Sequence, residues 1–223
     1  MRWPQTGAEL EALQRALADL EPPPWEGPAE VVGACFVCFP RALCGPGKPG
    51  DAAHAAAVLT RRRKVIEQVV VTGAAGGPYV PGLLALREGP LLERAVRALA
   101  RSPDVLIVNA TGRDHPRRAG LALHLGALLG LPTVGVTDRL LVASGPSPGP
   151  ARGATAPVTL AGELVGYWLR SRPGVRPIAL HAAWRTDPDV ALEVVRAALR
   201  RARTPEPLRR ARHLARLARA ESR

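Results

Sequence analysis

Four consecutive apolar residues, Val105-Leu106-Ile107-Val108, constrain the fold more than any other feature of this chain. A short strand without polar alternation is typical of a parallel sheet that helices cover on both faces. Apolar residues at helical spacing precede the run, between about Leu83 and Ala100. A helix near 117–129 and a second apolar strand at Thr133–Val136 follow it. The middle of the chain is therefore predicted to alternate helices with parallel strands.

The N-terminal third of the chain has a different pattern. Residues 30–39 are mostly apolar and predict a buried strand, and two β-rich runs follow near 54–60 and 65–72. The basic turn Arg61–Arg63 joins those two runs, so the three segments predict an antiparallel meander. A helix over residues 7–20 precedes them. Three antiparallel strands followed by alternating helices and parallel strands is the element order of an RNase H-like fold, so we expect an α/β protein whose mixed sheet is flanked by helices.

The rest of the chain supplies further predicted elements. They are strands at about 156–160 and 177–180, a helical segment near Leu164–Arg170, a helix over 188–202 and a basic C-terminal helix at about 204–221. A chain of 223 residues is long enough for one sizeable domain. We therefore expect residues 1–223 to form a single domain.

Positive charge is concentrated at the C-terminal end of the chain. The formal net charge is +12, and nine arginines but only two glutamates lie between Arg200 and Arg223. A basic segment of this kind attracts polyphosphates, and nucleic acid is its usual partner. The alternative is compositional, because most basic residues are Arg and because Ala, Gly and Pro abound, as high-GC coding would produce. Of the two, the charge pattern favours nucleic-acid contact.

Membrane and extracellular proteins have features that this sequence lacks. No apolar run approaches the roughly 20 residues that span a bilayer, so we expect no membrane partner. Residues Met1–Thr6 do not have the features of a signal peptide, and we expect a cytoplasmic monomer. Three cysteines, Cys35, Cys38 and Cys44, are too few for a disulfide framework. Because Cys35 and Cys38 lie three apart on one predicted strand, they point to opposite faces, which favours buried apolar cysteines over a shared metal.

Several unusual strings resemble one family of nucleases. They are the run Pro78–Glu88 (PYVPGLLALRE), the loop Gly112–Gly120 (GRDHPRRAG), the run Leu131–Val136 (LPTVGV), the segment Trp168–Arg172 (WLRSR) and the run Pro205–Arg209 (PEPLR). On these strings the chain resembles endonuclease V, the family that cleaves nucleic acid near deaminated adenine (inosine). The resemblance covers roughly residues 8–220. It implies a Mg²⁺-dependent centre that cleaves phosphodiester bonds, and a DNA or RNA partner.

The resemblance assigns recognition of the lesion to a loop and a neighbouring pocket. In the family, the Pro-Tyr-x-Pro loop is a wedge that enters the duplex while the modified base turns out into the pocket. An aromatic side chain on a proline-stiffened loop can fill the vacated stacking position at little entropic cost. Tyr79 takes that role here by resemblance, and the alternative is a rigid turn that caps the sheet with Tyr79 half buried. The residues implied in nucleic-acid binding are Pro78, Tyr79, Val80, Pro81, Gly82, Leu84, His115, Arg117, Arg118 and Gly120.

For two residues of that set, the sequence also predicts the secondary structure. Arg117 and Arg118 are expected to begin a helix, where they could meet phosphate. The alternative is that both are solvated residues at a helix start. These two possibilities stay open at the level of sequence.

The catalytic centre departs from the family pattern. Cys35 stands where the family has an aspartate in its first strand, and Asn109 stands where it has an aspartate that ends the fourth. Asp138 replaces a lysine, and Trp184 aligns with a histidine that helps to bind metal. Only Glu88 keeps its expected identity. Because a hard cation such as Mg²⁺ needs anionic oxygen ligands, one carboxylate cannot hold the usual site. We expect the substituted positions to converge on one centre.

Three functions are compatible with these observations. The favoured one is an endonuclease V-like protein that recognises inosine-containing or distorted DNA or RNA, with cleavage lost or strongly impaired. The second is an active metal-dependent endonuclease that nicks near deoxyinosine in DNA repair, with Glu88, Asp138 and His181 holding one Mg²⁺ in a rebuilt site. The third is a protein–protein scaffold that retains only the fold and docks partners on its terminal helix.

Overall fold

The computed structural model describes residues 2–41, 43 and 45–222, so Cys44 lies outside the described residues. Within these residues there are five helices and eight strands. The helices are α1 (Gly7–Ala18), α2 (Leu84–Arg97), α3 (Leu121–Leu129), α4 (Pro188–Ala198) and α5 (Glu206–Glu221). The strands are β1 (Val31–Cys38), β2 (Ala52–Arg61), β3 (Lys64–Ala74), β4 (Val105–Val108), β5 (Thr133–Thr137), β6 (Thr155–Leu160), β7 (Glu163–Leu169) and β8 (Ile178–Ala182).

All eight strands form one mixed sheet in the order β3-β2-β1-β4-β5-β8-β7-β6. Strands β1, β4 and β5 are parallel neighbours at its centre. Strands β1, β2 and β3 pair antiparallel, as the predicted meander requires. The predicted α/β class and mixed sheet of an RNase H-like fold are confirmed. The apolar run at Val105–Val108 is the fully buried central strand β4.

Helices cover both faces of the sheet. Helices α1, α2 and α3 enclose one core, in which Leu92 is buried together with Cys35 of β1. Helices α4 and α5 cover the opposite face, where Leu208 is fully buried. Cys38 packs on the α5 side. The prediction that Cys35 and Cys38 are buried on opposite faces of β1 is therefore confirmed.

The segment predicted as helical near Leu164–Arg170 is the strand β7. It pairs with β6 on one edge and β8 on the other, and a tight turn at Ala161 and Gly162, with φ angles of +52° and +84°, joins it to β6. A Cβ at Gly166 would clash with the carbonyl oxygen of Leu180, so glycine permits the close pairing. The prediction was wrong because periodicity alone does not separate a short apolar strand from a helix.

The direction of β8 also differs from the expected parallel strand. Val134 pairs with Ala182 and Thr137 with Ala179, so β8 runs antiparallel to β5. Short connections join β6, β7 and β8 in a meander, whereas a parallel strand needs a long crossover. The residues that follow β8 therefore lie beside the beginning of β5, not beside its end.

The basic C-terminal helix is present as α5, and it is packed on the sheet. Ala211 and Ala215 are fully buried on the sheet-facing side of the helix. The carboxylate of Glu206, whose side chain is 5% exposed, accepts hydrogen bonds from Arg209 and Arg210. Part of the positive charge of this segment is therefore engaged within the molecule. Among the described residues, no helix has the length and apolar character that crossing a membrane requires.

Candidate nucleic-acid interface

The loop between β3 and α2, Pro78–Gly82, projects into solvent; we call it the wedge loop. The side chains of Tyr79 and Val80 at its tip are 49% and 39% exposed. The backbone of the loop is fixed by hydrogen bonds from the Tyr79 amide to the Pro46 carbonyl (2.7 Å) and from the Leu83 amide to the Val80 carbonyl (2.9 Å). Two apolar side chains thus stand in water on a braced loop. At 49% exposure Tyr79 is half buried, so its burial fits the rigid turn as well as the wedge.

A cluster of hydrogen bonds fixes the base of the wedge loop. The Gly82 carbonyl accepts from Gln14 Nε2 at 3.1 Å, His115 Nε2 at 3.1 Å and Arg117 Nη2 at 3.0 Å. Arg117 Nε also donates to Gln14 Oε1 at 2.7 Å. Gly82 itself has φ +78°, a left-handed conformation that favours glycine. Two separate segments of the chain, α1 and the turn before α3, therefore converge on one carbonyl under the loop.

Gln14 is the member of this cluster that sequence reasoning missed. It is 1% exposed and lies between Leu10 and Leu17 on the buried side of α1. A polar residue within an apolar helical stripe needs a hydrogen-bond partner inside the protein. That interruption of the stripe was the signal that could have identified it.

The hydrogen bonds of His115 define its charge state and tautomer. Its Nδ1 accepts from the Arg117 amide at 3.1 Å, so the ring proton is on Nε2, which donates to the Gly82 carbonyl. Burial lowers the pKa of His115 to about 4, and the neighbouring Arg117 opposes protonation as well. The ring is therefore neutral at pH 7 and acts as a fixed donor to the wedge loop.

Arg117 and Arg118 do not begin a helix. They lie in a turn before α3, whose N-cap is Gly120. Arg118 has φ +55°, donates to the Leu160 carbonyl and forms an ion pair with Glu163 at 3.0 Å. The glycine at 120 and the proline at 116 account for the late start, because the turn must close before the helix can form. The expected phosphate site at a helix start is thus not formed by these two arginines.

Gly120 and Leu84, which the resemblance also implies in nucleic-acid binding, are engaged in packing. Gly120 is buried, its amide donates to the Gly112 carbonyl at 2.9 Å, and a Cβ there would clash with the Thr111 backbone. Leu84 is the first residue of α2 and packs against the core. Both support the walls around the wedge loop, and neither presents a free polar group to solvent.

A second region, 420 Å³ in volume, lies at the carboxyl ends of β1, β4 and β5; we call it the carboxyl-end pocket. Its lining residues are Phe36, Asn109, Thr137, Asp138, Arg139, Arg212 and Arg216. The strand ends in a parallel sheet are where ligand and catalytic groups usually gather. Two of the substituted family positions, Asn109 and Asp138, meet here.

A guanidinium group lies beside Asn109 in the lining of the carboxyl-end pocket. Arg212 Nη2 of α5 donates to Asn109 Oδ1 at 2.8 Å. The guanidinium groups of Arg212 and Arg216 lie over the Phe36 ring, at 5.2 and 5.8 Å from its centroid. Asp138 Oδ1 is paired with Arg203 Nη1 at 2.7 Å, and Arg203 is not one of the lining residues. The pocket therefore has an excess of positive charge.

Cys35 and Glu88 lie on the other face of the sheet from Asn109. Cys35 is fully buried in the core under α2 and α3, and burial and the nearby Glu88 both raise the pKa of its thiol. Burial raises the pKa of Glu88 to about 8, although Arg87 opposes this change. At pH 7 a neutral thiol and a protonated carboxyl therefore face each other where the family places an anionic metal site.

Trp184 does not join the other substituted positions. Its amide donates to Thr133 Oγ1 at 3.1 Å, so it lies at the beginning of β5, and its side chain packs against the core. Asp138 follows the other end of β5, about 16 Å from Thr133 along the strand. The expected convergence of all four positions is therefore wrong: Asn109 and Asp138 meet, whereas Cys35 lies on the other face of the sheet and Trp184 at the other end of β5. For Trp184 the cause is the antiparallel direction of β8, which places this residue beside the first residue of β5 and not beside its last.

The proposed rebuilt metal site is not assembled either. His181 is fully buried, and its Nε2 lies 2.7 Å from Thr137 Oγ1, whose hydroxyl donates to the Arg139 carbonyl. Burial lowers the pKa of His181 to about 4, and its Nδ1 lies 3.7 Å from Asp114. Asp138 is engaged with Arg203. Across the part of the chain that the structure describes, no group of three His, Cys, Asp or Glu side chains is placed to hold a metal ion.

Asp114 is buried and has a structural role. Its carboxylate accepts three backbone hydrogen bonds from Leu141, Val142 and Ala143, at 2.8, 2.9 and 2.8 Å. These bonds fix the loop after β5, which borders the carboxyl-end pocket. The carboxylate is thus committed to backbone amides and is not a free ligand.

The residues of the centre do not fit Mg²⁺. Asn109 offers a neutral oxygen that is already bonded to Arg212, Cys35 offers sulfur, and Glu88 is protonated at pH 7. The guanidinium of Arg212, held beside Asn109, adds a positive charge that repels a dication. The centre therefore opposes a divalent cation at the site where the family would bind one.

Comparisons with known proteins agree with the resemblance seen in the sequence. The family model for endonuclease V matches residues 37–213. The endonuclease V of Roseiflexus sp. is 37% identical over 216 residues, which cover 96% of this chain and 93% of the relative. The crystal structure of endonuclease V from Streptomyces avermitilis superposes with a TM-score of 0.83 at 36% identity, covering 99% of this chain and 96% of that one. The Ciona intestinalis endonuclease V, solved in complex with a 24mer DNA containing an inosine followed by a ribo-adenosine, has the same fold, with a TM-score of 0.80 at 20% identity over 97% of this chain and 98% of that one.

Proposed function

Because this chain belongs to the endonuclease V family, we propose that it binds inosine-containing or distorted DNA or RNA and that its phosphodiester cleavage is lost or strongly impaired. The hydrogen bond between Arg212 and Asn109 carries this proposal. It places a fixed positive charge at the strand ends where two-metal cleavage needs carboxylates and divalent cations. A centre built in this way attracts the phosphate backbone but lacks the means to activate water.

The wedge loop supports the binding half of the proposal. Tyr79 and Val80 are exposed on a loop that is braced at its base by Gln14, His115 and Arg117. A braced aromatic loses little freedom when it enters a duplex, so its burial against bases adds directly to affinity. Lesion recognition by this loop also fits the Ciona intestinalis relative, which was solved in complex with DNA containing an inosine.

A nicking assay separates this proposal from the active enzyme. The chain is incubated with an inosine-containing oligonucleotide in Mg²⁺ or Mn²⁺, and binding is followed in parallel by electrophoretic mobility at low salt. We expect salt-sensitive binding and no metal-dependent nicking above background. Metal-dependent nicking that disappears in Glu88→Gln would identify an active endonuclease instead.

Replacing Tyr79 tests the wedge loop. Base stacking on an aromatic side chain contributes about 1–3 kcal/mol, so Tyr79→Ala should reduce the preference for inosine-containing over unmodified strands by roughly 10-fold or more. Tyr167→Ala is the matched control, because that tyrosine lies on β7 and its hydroxyl donates to Asp189. The measurement is the ratio of the two dissociation constants. Equal losses on modified and unmodified strands would contradict the assignment.

The scaffold alternative gains little support from α5. Leu208 is buried against the sheet and Leu214 packs beside Cys38, so of the helix leucines only Leu217 is strongly exposed, at 44%. The apolar side of α5 thus serves the core of this protein. Failure to bind any oligonucleotide at low salt would nevertheless favour the scaffold over nucleic-acid recognition.

A further inference from the structure

We propose that the carboxyl-end pocket is a metal-independent site for a backbone phosphate of nucleic acid, held by the guanidinium groups of Arg139, Arg212 and Arg216. The inference rests on the proposed function and adds to it the chemistry of binding. A metal-dependent nuclease holds the scissile phosphate through its cations. Here side-chain cations take the place of metal ions, so the phosphate is bound but not cleaved.

The hydrogen-bond capacity of Arg212 supports a ligand in the pocket. A guanidinium has five N–H donors, and Nη2 is the only nitrogen of Arg212 that donates to the protein within the described residues. Its Nε is buried and has no partner in that part of the chain. Asn109 therefore orients the guanidinium while leaving donors free. A phosphate, with several acceptor oxygens, matches such a group in both charge and geometry.

The charges of the pocket also require an anion. Within the described ranges, neither Arg139, Arg212 nor Arg216 forms an ion pair, whereas the lining acid Asp138 is engaged by Arg203. Burial lowers the pKa of Arg212; Asp138 opposes this change, and Arg216 and Arg203 add to it. Like charges held together without a counterion destabilise the free protein, and a bound anion relieves that repulsion.

The position of the pocket identifies the anion as nucleic-acid phosphate. Cys38 at the end of β1 pairs with His54, and His54 pairs with Thr72 near the end of β3. The wedge loop after β3 and the pocket after β4 therefore lie at the same edge of the sheet. Three strand spacings separate β3 from β4, about 14 Å, which corresponds to about four base steps along a duplex. A single nucleic-acid strand is thus long enough to contact both the wedge loop and the carboxyl-end pocket.

Metal dependence and one charge removal test the proposal. Binding of the full chain to an inosine-containing oligonucleotide is measured by fluorescence anisotropy in Mg²⁺ and in EDTA at equal ionic strength. We expect wild-type affinities that agree within about twofold, and an Arg212→Gln variant that binds about 10-fold more weakly, with the slope of log K against log salt reduced by about one. Arg101→Gln is the control, because Arg101 is an exposed arginine near the opposite end of β4; it should change affinity by less than about twofold.

A second variant keeps the test decisive if Arg212→Gln unfolds, since Arg212 also bonds Asn109. Arg216 is exposed and donates no hydrogen bond within the described residues, so Arg216→Gln should fold normally. We expect it to weaken binding by about three- to fivefold and to lower the salt slope. Poly-glutamate should compete with the oligonucleotide for the protein far less well than polyphosphate of equal charge, since several guanidinium groups that line one pocket match a phosphate better than a carboxylate.

Three outcomes overturn the phosphate site while nucleic-acid binding stands. They are wild-type binding that requires Mg²⁺, folded Arg212→Gln and Arg216→Gln variants that behave like Arg101→Gln, and equal competition by poly-glutamate. Absence of wild-type binding to any oligonucleotide at low salt has a different meaning, because it removes the proposed function itself.

Discussion

The wedge loop and the carboxyl-end pocket lie at the same edge of one sheet and differ in what holds them. Under the wedge loop, the Gly82 carbonyl has three donors and the ring of His115 uses both of its nitrogens. In the carboxyl-end pocket, the guanidinium of Arg212 has one protein acceptor and no acidic partner within the described residues. The wedge loop is thus held by contacts within the protein, whereas the carboxyl-end pocket has positive charge that the proposed anion would neutralise.

This difference shows that binding geometry and cleavage chemistry have separate requirements in one fold. The wedge loop depends on hydrogen bonds from α1 and from the turn before α3, so changing it would require several coordinated substitutions. The metal centre depends on formal charge at a few side chains. Asn109 has the shape of an aspartate without its charge, and Cys35 packs as a small buried residue. Under the proposed function, such substitutions lower metal affinity and leave the sheet unchanged.

The first prediction follows from the charge of Arg212. Asn109→Asp should create an ion pair with Arg212 and no metal site, whereas in Asn109→Asp combined with Arg212→Ala the introduced carboxylate has no cationic partner. Because a single carboxylate holds Mg²⁺ only weakly, we expect 10 mM Mg²⁺ to raise the Tm of the double variant by about one degree and to leave that of Asn109→Asp unchanged.

The single variant is the decisive control in that experiment. If Asn109→Asp alone is stabilised by Mg²⁺ as strongly as the double variant, Arg212 does not exclude the metal, and the contrast between the two regions loses its electrostatic basis. Ca²⁺ at the same concentration serves as a second cation of equal charge. Similar shifts with both ions would indicate a site defined by charge alone.

The next effect concerns Glu88, the one retained carboxyl of the centre. Its folded pKa, about 8, lies above the ordinary value of 4.5, so folding favours the protonated form. Wild-type stability should therefore fall as pH rises from about 4.5 to about 8, and Glu88→Gln should escape that loss. Because Glu88 is only partly buried, we expect Glu88→Gln to be more stable than wild type by about 2 kcal/mol at pH 8.5 and equal to it at pH 4.5.

Thermal unfolding of both proteins between pH 4.5 and 8.5 gives this difference directly. Other titrating groups cancel because only Glu88 differs between them. Two parallel stability curves would mean that Glu88 ionises normally in the folded protein. In that case an anionic carboxylate remains beside Cys35, and this region binds a metal ion more readily than the structure indicates.

The fold was largely predictable because its signals are local. The apolar runs of β1 and β4 and the basic turn between β2 and β3 each identify an element without reference to the rest of the chain. The strand β7 was missed because its apolar spacing also suits a helix. The direction of β8 was missed because it depends on the connections before it, and these begin with the β6–β7 hairpin.

The site was less predictable because its decisive contacts are distant in sequence. Arg212 bonds Asn109 across 103 positions, and Arg117 bonds Gln14 across 103 positions. From the sequence, Arg212 was one of nine arginines in a basic segment and Gln14 was one residue of an amphipathic helix. Only the packing of α5 and α1 on the sheet distinguishes these two residues from their neighbours.

The smallest effect tests the bracing of the wedge loop through Gln14. In Gln14→Ala the Gly82 carbonyl keeps two donors, but Arg117 Nε loses its acceptor in a partly buried position. The expected loss is about 1 kcal/mol of stability, with faster hydrogen exchange at the amides of Tyr79 and Leu83, which donate the hydrogen bonds of the loop. Gln68→Ala, at an exposed position of β3, is the matched control and should change neither quantity. If the loop amides exchange as slowly in Gln14→Ala as in the wild type, His115 and Arg117 suffice to hold the loop. The wedge loop would then depend on fewer residues than the hydrogen-bond cluster implies.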